Sequence, residues 1–184
     1  DPLYGDDRAF ECYSLKRLFF KQISTIIISY LKGAYKRQFT LGGITMVQLI
    51  VGKKGKGKTK QLLDKVNTEV KEVSGNIVYL DKSTKHMYEL NNKVRLIDVS
   101  EFMVENSSEF LGFICGIVSQ DRDLEKMFLD SFLKIAHLED GDILPVITKL
   151  EKISEMFQVD FILSISLDEQ ELPESLKSKI IVSL

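Results

Sequence analysis

Three glycines and five lysines crowd into ten positions, VGKKGKGKTK, at 51–60. Gly52, Gly57, Lys58 and Thr59 satisfy the spacing G-x-x-x-x-G-K-T. That spacing suits a loop whose backbone N–H groups turn inward around phosphate oxygens, and Gly52, Gly55 and Gly57 are the residues that permit so close an approach. Lys58 supplies a cation for the β- and γ-phosphates, Thr59 a hydroxyl for Mg²⁺, and the N-terminus of a following helix a positive dipole end. Lys53, Lys54, Lys56 and Lys60 are expected to be largely solvated, with Lys56 the one placed to touch a phosphate. The nucleotide-binding segment is thus expected to run from Gly52 through Lys60.

A magnesium site also needs a carboxylate at the end of a neighbouring strand. Asp81, Asp98 and Asp130 each terminate an apolar run. A strand-end aspartate is often only a turn or helix cap, and order along the chain favours Asp130. His86 and His137 have no metal partners at useful spacing and are expected in surface or structural roles. The segment DKSTKHMY, 81–88, falls where α/β sheets bind ligands, beyond a strand's C-terminal end, and is either a ligand contact or a capped turn.

The elements that must carry these residues alternate. MVQLIV runs directly into the glycine loop and reads as a buried strand. Leu62, Leu63, Val66, Val70 and Val73 recur at helical spacing until Ser74-Gly75. Strands are expected at 77–80, 94–97, 127–129 and 161–165. Helices are expected at about 101–119, placing Cys115 in the core, and from Asp142, a cap, through Phe157, with Pro145 harmless in the first turn. A short helix at about 171–177 precedes a last one at 180–184. Strand–helix alternation predicts an α/β fold, a mostly parallel sheet covered on both faces in three α/β/α layers.

The stretches IVGKKGKGKT, NIVYLD, KVRLIDVS, MFLDS and DFILSIS, taken together, resemble the RecA-like branch of P-loop ATPases over 46–184. The resemblance implies that Asp130 is the Walker B carboxylate, with Ser131 beside it, and that Ser164 or Ser166 takes a polar sensor place. It implies a three-layer P-loop NTPase fold with ATP and Mg²⁺ as ligands, Thr59 and Asp130 at the metal, and Lys58, Asp81 and Asp130 at the chemistry. The chain departs from the family at one point. Ser83 stands where a water-polarising Glu is expected, leaving Asp81 as the candidate base. The expected activity is therefore weak or partner-stimulated ATP hydrolysis, with a nonhydrolytic ATP-dependent switch as the alternative. Arg95 and Arg122 are the only arginines after residue 45; Arg122 is expected as a surface arginine between two aspartates, with reach to a neighbouring subunit as the alternative.

Composition narrows the partners. Residues 1–45 hold seven basic and four acidic residues, a net of +3, leaving 18 basic and 23 acidic in the remainder, a net of −5. An acidic main body disfavours a nonspecific grip on nucleic acid, which needs clustered cations. The acidic DEQELPE, with no arginine, disfavours the lid of a small-molecule kinase. No guanine-reading Asn-Lys-x-Asp motif occurs, so ATP is the expected nucleotide, with an unknown protein partner and a possible homo-oligomer. Two cysteines without metal or disulfide spacing, and no run long enough to span a bilayer, predict a reduced cytoplasmic setting. Residues 41–46, LGGITM, can be encoded with AGGAGG ahead of an ATG, a bacterial ribosome-binding arrangement. Residues 1–45 are accordingly either upstream sequence read through to Met46 or an N-terminal helix.

Overall fold

The structure is a computed structural model that describes residues 46–184; both readings of residues 1–45 lie outside it. Six strands form one sheet: β1 (Val47–Val51), β2 (Asn76–Asp81), β3 (Val94–Asp98), β4 (Leu124–Leu129), β5 (Asp160–Ile165) and β6 (Ile180–Ser183). Their order is β3-β2-β4-β5-β1-β6, and every pairing is parallel. Five α-helices connect them: α1 (Lys58–Glu69), α2 (Ser107–Gln120), α3 (Phe132–Ile135), α4 (Leu144–Phe157) and α5 (Glu174–Lys177).

Parallel strands need crossovers, and the crossovers cover both faces of the sheet. Alternation along each strand sorts its side chains. Ile50, Ile77, Tyr79, Phe128 and Ile162 pack with Leu62, Leu63, Val66 and Val70 of α1 and its end. Leu49, Val78, Leu80, Met127, Leu129, Phe161 and Leu163 pack on the other face with α2, α3, α4 and α5. The three-layer α/β arrangement expected from the sequence is therefore present.

Local signals explain the helix ends. Asn106 begins α2 by accepting from Ser108 N at 3.1 Å and Glu109 N at 3.0 Å, so that helix starts later than the sequence reading placed it. Asp142 accepts from Leu144 N at 2.9 Å, with Pro145 in the first turn of α4, as expected. Helix α1 stops at Glu69, short of the apolar run that continues to Val73. The last element is a correction: Ile180, Ile181 and Val182 are β-branched and pair with β1 as a strand, not a helix. Cys115 is a second correction. It lies on the exposed side of α2, whose inward face is Phe110, Leu111, Ile114 and Val118. Among the described residues, no helix is long and apolar enough to cross a membrane.

Candidate functional site

The period of two that sorts the core also gathers the polar residues. Asp81 follows Tyr79 by two positions, Asp130 follows Phe128, and Ser164 follows Ile162. Each of those partners packs on the α1 side, so the three polar groups emerge on that side at the C-terminal ends of β2, β4 and β5. Helix α1 begins at Lys58, immediately after the glycine loop. The sheet order places β5 between β1 and β4, which sets Ser164 between the loop and Asp130.

The loop has the backbone that its glycines permit. Gly55 and Gly57 adopt φ of 87° and 89°, and a Cβ at either would meet nothing within 4 Å. Gly52 is tighter: at φ 144°, a Cβ there would lie 2.7 Å from Leu184 O. Gly52 N donates to Leu167 O at 2.8 Å and Leu184 N donates to Val51 O at 3.1 Å, so the segments after β5 and β6 brace the loop's base. Lys58 is buried, and its ammonium donates to Gly52 O at 2.6 Å and Lys53 O at 2.8 Å. Burial pushes its pKa down, against the pull of the Asp130 and Asp168 carboxylates. Thr59, half-buried, is the second residue of α1. Of the remaining lysines, Lys53 pairs with Asp168 at 2.9 Å, while Lys54, Lys56 and Lys60 are exposed. Positive φ at three glycines, a buried ammonium held by the loop's own carbonyls and a hydroxyl at the helix start are groups that could hold a polyphosphate with a divalent cation.

Asp130 is the most constrained group. It is 2% exposed, and both its oxygens are held. Oδ1 accepts from the Ser164 hydroxyl at 2.5 Å and from Ser131 N at 2.8 Å; Oδ2 accepts from the Tyr79 hydroxyl at 3.1 Å. Ser131 N also reaches Ser164 Oγ at 3.0 Å, from a left-handed Ser131 at φ 52°. Burial, followed by the neighbouring Asp130 carboxylate, raises the Tyr79 phenol far above its ordinary range, so its proton stays on the hydrogen bond. Ser164, of the two sensor candidates, is the one against Asp130; Ser166 is exposed beyond the strand.

Asp81 is equally buried, and its Oδ1 accepts from Lys82 N at 2.7 Å. Burial raises its pKa most; the Asp130 carboxylate adds to this, while Lys82 N opposes it. Asp98 is a turn cap, accepting from Ser100 N at 2.9 Å and Ser100 Oγ at 2.6 Å. Arg95 is exposed on β3, and Arg122 precedes β4, at the opposite end of that strand from Asp130.

His86 is the residue that sequence spacing missed. One of its ring nitrogens lies within 4.8 Å of carboxylate oxygens of both Asp81 and Asp130, so it is not the isolated histidine that was expected. The β2–β3 connection carries it there, and no linear motif encodes that approach. A groove of about 400 Å³ on α1, lined by Thr59, Leu63, Asn67, His86 and Glu89 among others, joins the start of the helix to this histidine.

No protein-family model and no curated protein sequence matches the chain. Among solved structures, it is similar to the flagellar accessory protein FlaH from Methanocaldococcus jannaschii, with TM-score 0.49 and 14% identity over 74% of this chain and 68% of that one. A likeness of that degree says nothing about activity.

Proposed function

We propose that this chain is a RecA-like P-loop protein that binds Mg-ATP and hydrolyses it slowly, or quickly only when a protein partner engages it. The observation that carries the reading is convergence: Lys58, Asp81, Asp130 and Ser164 are four of the five buried polar or charged residues among those described, and all four sit at one end of the α1 face. Burying charge is expensive, and groups so placed are retained where chemistry uses them.

In this reading Gly52 through Lys60 wrap the phosphates and Lys58 leaves its two carbonyl partners for the β- and γ-oxygens. Thr59 and Asp130 would hold Mg²⁺, which would supply positive charge beside the transferred phosphoryl group. Tyr79, Ser131 and Ser164 hold the Asp130 carboxylate in place. The Ser83 departure favours a second reading, an ATP-dependent switch that binds without turnover, since loss of a water-positioning carboxylate costs rate more than affinity.

Phosphate release from the 184-residue chain with Mg-ATP, beside Lys58→Ala and Asp81→Asn, separates them. Turnover abolished in both variants supports the ATPase. Lys58-dependent binding with no turnover supports the switch, and absence of both ends either reading.

A further inference from the structure

We propose that His86, held by Glu89, is the group that positions and deprotonates the attacking water, the task that Ser83 leaves without a carboxylate. The inference rests on the Mg-ATP reading above.

Three observations meet at this side chain. Its place is fixed: the β2–β3 connection is tied to α1 by Asn67, whose amide donates to Glu89 O at 2.7 Å and whose oxygen accepts from Asn91 N at 2.8 Å. A turn closes the same segment, with Glu89 N donating to His86 O at 3.0 Å. Its ring is oriented: His86 Nδ1 lies 2.7 Å from Glu89 Oε1, so Nδ1 donates to that carboxylate and Nε2 is the ring nitrogen left for another partner. Its surroundings are the right ones: the ring stands beside Asp81 and Asp130 and lines the groove that begins at Thr59, the proposed metal ligand. Asp81 is less suited to the first contact. It is 2% exposed and its Oδ1 is occupied by Lys82 N, whereas the His86 side chain is 17% exposed and faces the groove.

The step balances without a further reactant. The water oxygen attacks the γ-phosphorus as its proton passes to Nε2. The bond from the γ-phosphorus to the β–γ bridging oxygen breaks, with its electron pair leaving on ADP. The proton on the imidazolium departs with the phosphate product, and Glu89 balances the transient charge on the ring.

Two readouts on the 184-residue chain test this: single-turnover phosphate release, and the tightening of Mg-ADP binding by aluminium fluoride, which mimics the transferring phosphoryl group. His86→Ala is expected to slow release about 100-fold, to abolish the fluoride effect and to leave the Mg-ATP Kd within about threefold. His86→Gln, which returns an acceptor to the Nε2 region, is expected to recover part of the loss, with Glu89→Gln falling between His86→Ala and the parent. Release and fluoride tightening within about twofold of the parent in His86→Ala overturn the proposal, as does a parallel fall in ATP affinity and rate. A parent chain that binds Mg-ATP but neither releases phosphate nor responds to fluoride overturns this proposal alone. A parent chain that fails to bind Mg-ATP overturns the nucleotide reading as well.

Discussion

Among the described residues, one face of the sheet packs 29 buried apolar residues with α2, α3, α4 and α5; the other packs ten with α1. The larger cluster contains the pairing of Phe110 with Phe132, ring centroids 6.1 Å apart, and extends from Val47 to Leu176. The smaller one gives way at its C-terminal end to Asp81, Asp130, Ser164 and Lys58. The contrast teaches where this fold gains stability and where it gives some up. Among the described residues a single α-helix, α1, packs on that face, and at the strand ends polar groups reach the loop. The apolar face supplies the rigidity against which two carboxylates can be held side by side.

Substitutions should break that division unequally. The largest effect belongs to the apolar face: Phe161→Ala removes a fully buried ring and is expected to cost about 3–5 kcal/mol, measured as a shift in the urea midpoint. Equal cost from any one site residue would erase the contrast.

The site face should respond with the opposite sign. Asp81→Asn is expected to stabilise the ligand-free chain by about 1 kcal/mol near neutral pH. The sign follows from the raised folded-state pKa of Asp81. Between the ordinary aspartate value and that raised one, the native state binds the extra proton, so its stability falls as pH rises through the window. Above the window the native state carries the full penalty. The advantage of Asn over Asp should therefore shrink as pH is lowered toward the ordinary aspartate range, which melting curves across acidic to neutral pH would show.

The smallest effect sharpens the comparison most. Ser154 on α4 is 1% exposed, and its hydroxyl has no partner. On the apolar face such a group has no task, so Ser154→Ala should be neutral or stabilising by up to about 1 kcal/mol, with nucleotide binding unchanged.

Much of this was legible in the sequence because it is periodic or local. Alternation in NIVYLD and DFILSIS gives the strands, and the glycine spacing marks the positive-φ turns at Gly52, Gly55 and Gly57. Asp130 could be singled out by its order along the chain, and Asn106 could have marked the start of α2, since Asn-x-x-Glu is a capping pattern. What was not legible depends on distant segments meeting. Tyr79 reads as one more apolar strand residue until β4 is set beside β2, when its hydroxyl finds Asp130. Ser164 and Ser166 are equivalent in sequence and differ only in where β5 ends. His86 finds Glu89 three residues on, but no spacing shows its approach to Asp81 and Asp130; the Asn67 contacts between α1 and the β2–β3 connection fix that segment in the fold.

The most direct test of the account is calorimetric titration of the 184-residue chain with Mg-ATP, beside Lys58→Ala. One binding site is expected in the parent, with affinity lowered at least about 100-fold in the variant. Equal binding by both proteins, or binding by neither, would contradict the assignment of 52–60 as a nucleotide loop.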